Sequence, residues 1–144
     1  MKVTTVIDKD REEEIVIYLR KECGIGEEIE RLLERIEAPL TGYREGEIIA
    51  LDPKDVFCFI TEGSGVYAVT EKERVKMKRR LYEIEEILDG GYVRLSQSCI
   101  ANISKIERFE VTIGASLRAV FKNGYRDTVS RRQLKKVKER FLIK

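Results

Sequence analysis

Two adjacent arginines stand where a helix is expected to begin. Leu134, Val137 and Phe141 have the spacing of one buried helical stripe, which puts Arg131 and Arg132 in the first turn of that helix. The first turn carries the positive end of the helix dipole, so each basic side chain there costs about 0.3–1 kcal/mol. A phosphate at this helix N-terminus would offset the cost, because free backbone N–H groups and both guanidinium groups could donate to it. Either arginine could instead reach a guanine edge in the major groove, or both could simply be solvated.

A second polar group lies between two apolar runs earlier in the chain. Ser96, Gln97 and Ser98 separate a strand that ends near Leu95 from the apolar run that begins at Cys99. Small hydroxyl and amide side chains of this kind contact phosphates and adenine edges. The same residues also make an ordinary polar turn, so both interpretations stay open.

Further residues could extend such a surface. Gly63, Ser64 and Gly65 form a tight loop that would allow close backbone approach, although a plain hairpin turn explains it equally well. Lys135 and Lys136 continue the basic face of the closing helix, and single lysines suit phosphates better than base edges.

Enzymatic chemistry is poorly supported by the residue types. The chain has no histidine, which removes imidazole as a general base, a metal ligand and a pH switch. No glycine-rich phosphate loop, nucleophile elbow or paired-carboxylate motif occurs. The cysteines, Cys23, Cys58 and Cys99, have no metal-ligand spacing and are expected to be free thiols, two of them in the core. We therefore expect no enzyme, no metal and no cofactor.

The charge is divided between the two halves of the chain. The formal net charge is +2, but residues 1–73 carry 10 basic and 18 acidic side chains, whereas residues 74–144 carry 18 basic and 8 acidic ones. A basic half of this size, displayed on one face, attracts a polyanion and releases counterions from phosphates. Nucleic acid is the natural partner, although scattered lysines and arginines can also merely solvate a surface.

The N-terminal third predicts a short β-β-α arrangement. Residues 2–7 and 14–19 have strand composition and are separated by a polar stretch. Ile29, Leu32, Leu33 and Ile36 then form one helical stripe, and Pro39 is expected to end that helix.

From Leu40 onward, short apolar runs alternate with turn signals, which predicts successive antiparallel strands. Short helices are expected at residues 80–88 and after Val129. Asn123-Gly124 predicts a type I′ hairpin turn, and Ser130 with Gln133 has the spacing of a capping box. The fold class is therefore mainly β with short helices, within α+β.

Taken in order, these segments resemble the LytTR DNA-binding domain family over roughly residues 48–141. The specific part is the spacing of Arg94, Ser98 and Asn102, followed much later by Ser130-Arg131-Arg132. The other carrying segments are residues 55–60, residues 80–85, residues 92–102 with Ile106, Asn123-Gly124 and Val129. The resemblance implies an elongated arrangement of small antiparallel sheets in which loops, and not a recognition helix, enter successive major grooves.

The resemblance also implies which residues contact DNA, and which are mainly structural. Asn102 and Ile106 belong to the second group. The expected DNA-binding residues are Gly63, Ser64, Gly65, Arg94, Ser96, Gln97, Ser98, Arg131, Arg132, Lys135 and Lys136. Ser64-Gly65 stands where many relatives carry a longer polar or basic side chain, which makes base reading by this loop the least supported assignment.

The resulting expectation is a cytoplasmic bacterial transcription regulator that binds double-stranded DNA at paired direct repeats, as a homodimer at least on DNA. Residues 1–46 are expected to form an acidic extension and residues 47–144 the DNA-binding domain. The extension is too short for a receiver domain, and we expect it either to pad the core or to support dimer contacts. No apolar stretch is long enough to cross a membrane.

A β-rich RNA or single-strand binder is the first alternative, favoured if Tyr67, Tyr82, Tyr92 and Tyr125 lined one face. A protein-interaction module that does not bind DNA is the second.

Overall fold

The computed structural model describes residues 1–37, 40–88 and 90–143. It divides the chain into two compact units, Met1–Glu34 and Arg35–Lys144.

The N-terminal unit contains most of helix α1, which spans Ile25–Glu37. The apolar stripe of α1 is only half covered, because Ile29 is partly buried whereas Leu32 is 51% exposed. The Ile36 side chain and Pro39, the expected end of the helix, lie outside the described residues.

The two strands predicted at residues 2–7 and 14–19 do not form. The chain turns at Lys9-Asp10, but neither flanking segment pairs as a strand, and Val3 and Ile7 are 87% and 90% exposed. An isolated two-stranded hairpin is marginal in water, because no third strand or helix covers its apolar face. The predicted β-β-α extension is thus corrected to an irregular segment followed by a helix.

The second unit is built on a seven-stranded antiparallel sheet. Its strands in chain order are β1 (Leu40–Arg44), β2 (Glu47–Leu51), β3 (Cys58–Glu62), β4 (Gly65–Val69), β5 (Arg74–Met77), β6 (Tyr92–Ser96) and β7 (Cys99–Asn102). In space they are ordered β2-β1-β5-β4-β3-β7-β6. Strand β1 falls within the predicted extension 1–46, yet it pairs with β2 and β5 and so belongs to this sheet.

A three-stranded sheet and two helices complete the unit. The small sheet has the order β10-β9-β8, from β8 (Ile106–Val111), β9 (Leu117–Phe121) and β10 (Arg126–Thr128). Helix α2 spans Leu81–Ile87, helix α3 spans Arg131–Arg140, and short 3-10 turns occupy Pro53–Asp55 and Ile103–Lys105. Within the described residues the fold is two antiparallel sheets with three helices, which confirms the predicted class.

Strand β3 separates two hydrophobic clusters. Phe59 belongs to a cluster with Val75 and Ile84 of α2, whereas Cys58 and Ile60 belong to a cluster formed with the small sheet and α3. Because successive side chains of a strand point to opposite faces, both faces of β3 are buried. This burial explains why the run from Val56 to Ile60 is apolar at every position.

Local turn chemistry differs from the sequence prediction at two places. At Asn123-Gly124 only Gly124 has a positive φ (88°), so the turn is not type I′; Asn123 instead accepts the Tyr125 N–H through Oδ1 at 3.0 Å. A turn of type I′ conformation, with positive φ at both central residues, occurs at Glu45-Gly46. The predicted capping box at the start of α3 is also wrong, because the Ser130 side chain makes no capping hydrogen bond.

Candidate nucleic-acid interface

The turn between β6 and β7 is polar and is held by internal hydrogen bonds. Gln97 and Ser98 connect the end of β6 at Ser96 to Cys99, and the fully buried Leu95 and Cys99 anchor the two sides. Ser96 Oγ accepts the Ser98 N–H at 3.2 Å and lies 3.2 Å from Ser98 Oγ. The two serine hydroxyls are therefore held by each other, while the Gln97 side chain is exposed.

Arg94 stabilises this turn through the backbone carbonyl groups of the turn. Its Nε donates to Glu85 Oε2 at 2.6 Å. Its Nη1 donates to the carbonyl oxygens of Ser96 at 3.3 Å and Gln97 at 2.8 Å. The Arg94 side chain is only 19% exposed. Its guanidinium is thus engaged inside the protein, in a geometry that suits positioning the turn.

Helix α3 starts beside the same turn. The Ser130 N–H donates to the Leu95 carbonyl oxygen at 2.8 Å, which ties the start of α3 to the end of β6. Farther along, Val137 is fully buried, and the Phe141 ring packs edge-on against Phe109 with centroids 4.8 Å apart. These contacts fix the direction of α3, so its first turn has a defined place next to residues 96–98.

The cations of α3 are not neutralised by the protein. Arg131, Arg132, Lys135 and Lys136 are all exposed, and in the described part of the chain none of them makes an ion pair. By contrast, the arginines engaged with carboxylates elsewhere in the described residues are Arg11, Arg44, Arg74, Arg94, Arg108, Arg118 and Arg126. The positive field at the start of α3 is therefore free to act on an external anion.

The glycine loop lies at the same end of the large sheet. The Thr61 N–H donates to the Ser98 carbonyl oxygen at 2.9 Å, so the end of β3 runs beside the β6–β7 turn. Gly63 and Ser64 follow as an exposed two-residue turn, in which Gly63 has a φ of +61° that favours glycine. At Gly65 an added Cβ would lie 2.9 Å from the Tyr67 ring, so a larger residue would displace that side chain.

The structure thus brings together the three segments that the sequence singled out. The links between them are backbone hydrogen bonds, from Thr61 to Ser98 and from Ser130 to Leu95. Sequence reasoning missed both links, because every residue except proline carries the same backbone donor and acceptor. It also missed the Glu85 contact of Arg94, for which no local spacing signal exists.

The four tyrosines considered as a stacking platform do not form one. Tyr67, Tyr92 and Tyr125 are partly buried, and each packs against a hydrophobic cluster. Tyr82, on α2, is 56% exposed. Base stacking needs exposed aromatic faces on one surface, which this distribution does not provide.

The cysteines behave as core and surface thiols. Cys58 and Cys99 are buried and Cys23 is exposed. A hydrogen bond with Cys58 and, to a smaller extent, burial raise the pKa of the Cys99 thiol well above its usual range. The protonated, unreactive form is therefore favoured.

Among the residues that the structure describes, no cluster of His, Cys, Asp or Glu could hold a metal ion. No helix in this described part of the chain has the length and apolar character of a membrane span.

Comparison with known proteins supports the fold described above. Among solved structures, the fold is similar to the LytTr DNA-binding domain of a protein assigned as a methyl-accepting/DNA response regulator from Bacillus cereus. That match has a TM-score of 0.69 and 19% identity, and covers 73% of this chain and 97% of that one. It shows a shared fold.

Curated relatives are closer in sequence. The chain is 36% identical over 104 residues to uncharacterized HTH-type transcriptional regulators of Staphylococcus aureus, from strains NCTC 8325 and MRSA252 among others, covering 72% of this chain and 71% of each relative. The sequence profile of the LytTr DNA-binding domain matches residues 46–142. With more than half of its length matched to that profile, and with the fold and the relatives in agreement, the chain belongs to the LytTR family of DNA-binding domains.

Proposed function

We propose that this LytTR-family chain regulates transcription by docking one end of its large sheet, together with the start of α3, onto duplex DNA. We call this surface the docking edge. It consists of residues 63–65, residues 96–98 and four exposed cations of α3, namely Arg131, Arg132, Lys135 and Lys136. The observation that supports it best is the pair of backbone hydrogen bonds that join these segments, Thr61 to Ser98 and Ser130 to Leu95. Loops held in this way can enter a major groove without losing much conformational entropy.

The residues of the docking edge would divide the work by their chemistry. Gln97, exposed at the tip of its turn, can make a bidentate contact with adenine. Arg131 and Arg132 can bind a phosphate at the start of α3 or read a guanine edge. Lys135 and Lys136, one turn farther along, suit phosphates and would add affinity without sequence preference.

A comparison of Arg132→Ala with Lys135→Ala tests this division. Arg132→Ala is expected to weaken specific duplex binding by about 1–3 kcal/mol, whereas Lys135→Ala should weaken all duplexes alike and lower the slope of log K against log salt by about one. Fluorescence anisotropy over a salt series, on a duplex selected from a random pool, gives both quantities. Lys72→Ala is the matched control, because this exposed lysine lies beyond the far end of β4 from the glycine loop. Unchanged affinity in both α3 variants would contradict the assignment.

Binding by two protomers at paired direct repeats is part of the proposal, with the cytoplasm as its location because bacterial DNA lies there. Two copies on one operator would double the phosphate contacts and make binding cooperative. The alternative of single-strand binding is disfavoured because the four tyrosines do not form one exposed stacking surface, and competition between duplex and single-stranded DNA separates the two.

A further inference from the structure

The N-terminal unit contains a segment with the composition of a strand but no strand partner. Residues 13–21 contain five consecutive apolar residues, of which four are exposed: Ile15 is 60%, Val16 59%, Tyr18 93% and Leu19 40% exposed, and Ile17 is partly buried. β-branched and aromatic residues at this density are typical of a strand buried on at least one face. An unpaired strand with exposed apolar side chains is a site for pairing with another chain.

The charges at the two ends of this segment are opposite in sign. Glu13 and Glu14 precede the apolar residues, and Arg20 and Lys21 follow them. When two copies run antiparallel, the acidic end of each lies against the basic end of the other. The segment is therefore complementary to itself, which identifies a second copy of this chain as its partner.

We propose that residues 13–21, here called the arm, pair with the arm of a second copy as antiparallel strands about a twofold axis at Ile17. A twofold axis perpendicular to the sheet leaves each residue on the same face in both copies, so two opposed residues are both odd-numbered or both even-numbered. In the register centred on Ile17 the opposed pairs are Glu13 with Lys21, Glu14 with Arg20, Ile15 with Leu19, Val16 with Tyr18, and Ile17 with itself.

Neighbouring registers are much poorer. Moving the axis by one residue in either direction sets a charged side chain against an apolar one: Glu14 against Tyr18, or Val16 against Arg20. Glu12 would meet Glu22 just outside the proposed register, and this repulsion limits the ladder to residues 13–21. Polar and apolar positions thus specify one register.

The charged side chains of the arm are available to form ion pairs with a second copy. In the single chain Glu14 pairs with Arg11 at 2.6 Å, but these side chains are 54% and 69% exposed, and such a surface pair contributes little. Glu13, Arg20 and Lys21 are exposed and make no ion pair with a described residue. Pairing between copies therefore costs few existing interactions.

Pairing also explains why the N-terminal hairpin does not close in one chain. Two strands alone are marginal, whereas two arms flanked by two copies of residues 2–7 would give four strands, enough for an independently stable sheet. Val3, Val6 and Ile7, which are 80–90% exposed, would then acquire a common apolar surface.

Charge reversal tests the pairing in the full-length chain. The variants are Glu13→Lys/Glu14→Arg, which makes both ends of the arm basic, and Arg20→Glu/Lys21→Glu, which makes both ends acidic. Each alone is expected to dimerise about tenfold more weakly than the wild type, or worse, in sedimentation velocity. An equimolar mixture should restore dimers, because all four opposed charge pairs are then attractive.

The control for this experiment is Lys72→Glu/Lys76→Glu, which reverses two exposed cations outside the arm and should dimerise like the wild type. The proposal is overturned if the wild type stays monomeric, if either arm variant dimerises like the wild type, or if the mixture remains monomeric. It is also overturned if the control weakens association as much, since net charge would then be the cause.

Disulfide trapping tests the register. In a Cys23→Ser background, Ile17→Cys should form a disulfide-linked dimer on mild oxidation, because the two copies of this position face each other across the axis. Val16→Cys, which faces Tyr18, should not. Equal crosslinking of the two variants would overturn the register.

The pairing proposed for the arm and the DNA binding proposed for the docking edge can be refuted independently. All charge-reversed arm variants keep residues 40–143 unchanged, so they are expected to bind a single duplex half-site with wild-type affinity. Wild-type self-association that persists in these variants would refute the arm and leave DNA binding untouched. Loss of DNA binding in Arg132→Ala bears on the docking edge alone.

Discussion

At the residue scale, Arg94 is the most informative case. The family resemblance assigns it to DNA contact, but in the structure its guanidinium donates to groups of the protein itself. Arg94 bridges Glu85 and the carbonyl groups of Ser96 and Gln97, so most of its donors are used before any ligand arrives. A positioning residue and a phosphate contact both weaken DNA binding when removed. They differ in salt dependence, because only a phosphate contact releases counterions.

Arg94→Ala is therefore expected to reduce affinity for the specific duplex while leaving the salt slope unchanged. Glu85→Gln, which removes the charge that orients Arg94, should produce the same pattern in weaker form. Anisotropy titrations at several salt concentrations measure this, with Lys135→Ala as the comparison that lowers the slope. A slope reduced by about one in Arg94→Ala would show that Arg94 contacts phosphate directly.

At the scale of single elements, β1 decides where the DNA-binding unit begins. An added Cβ at Gly42 would lie 2.3 Å from Val75 Cγ1 and 3.1 Å from Leu51 Cδ1, both in the buried cluster beside α2. Strand β1 approaches β5 this closely only because residue 42 has no side chain.

Gly42→Ala is expected to destabilise the sheet by about 1–3 kcal/mol, the usual cost of overpacking. Gly26→Ala is the matched control: it lies in α1 with no atom within 4 Å of the added Cβ, and a helical alanine is favourable. Urea unfolding of both variants measures the difference. A Gly42→Ala chain as stable as the wild type would contradict the tight packing of β1 in this sheet.

At the scale of the whole molecule, the two units invite separate tests. Removal of residues 1–34 deletes the arm and leaves the unit Arg35–Lys144. The shortened chain is expected to unfold cooperatively and to bind one half-site with unchanged affinity, but to lose cooperative binding to two. Light scattering and titrations on single and paired half-sites check these outcomes. Unaltered cooperativity would place the protomer contacts outside residues 1–34.

The arrangement of half-sites carries independent information. The arm has a twofold axis, whereas direct repeats require two DNA-binding units in the same orientation. Recovery of inverted repeats from a random pool would show that the DNA-binding units share the axis of the arm. Recovery of direct repeats would show that they do not.

The sequence by itself determined the class of the fold and the polar segments of the site. The short apolar runs and turn signals of β3 and the neighbouring strands, the stripes of α2 and α3, and the basic composition after residue 73 are local or compositional signals. They need no knowledge of distant contacts, because the spacing of apolar residues and the distribution of charge can be read directly from the sequence. The spacing of Arg94, Ser98, Asn102 and the late Ser130-Arg131-Arg132 then pointed to the family.

The tertiary structure alone decided which of these segments meet. The N–H of Ser130 bonds a carbonyl group 35 positions earlier in the chain, and that of Thr61 one 37 positions later; backbone groups of this kind have no sequence signature. The predicted strands at residues 2–7 and 14–19 failed for a related reason. Strand propensity states what a segment could form, but a strand exists only where a partner supplies its hydrogen bonds and covers its apolar face.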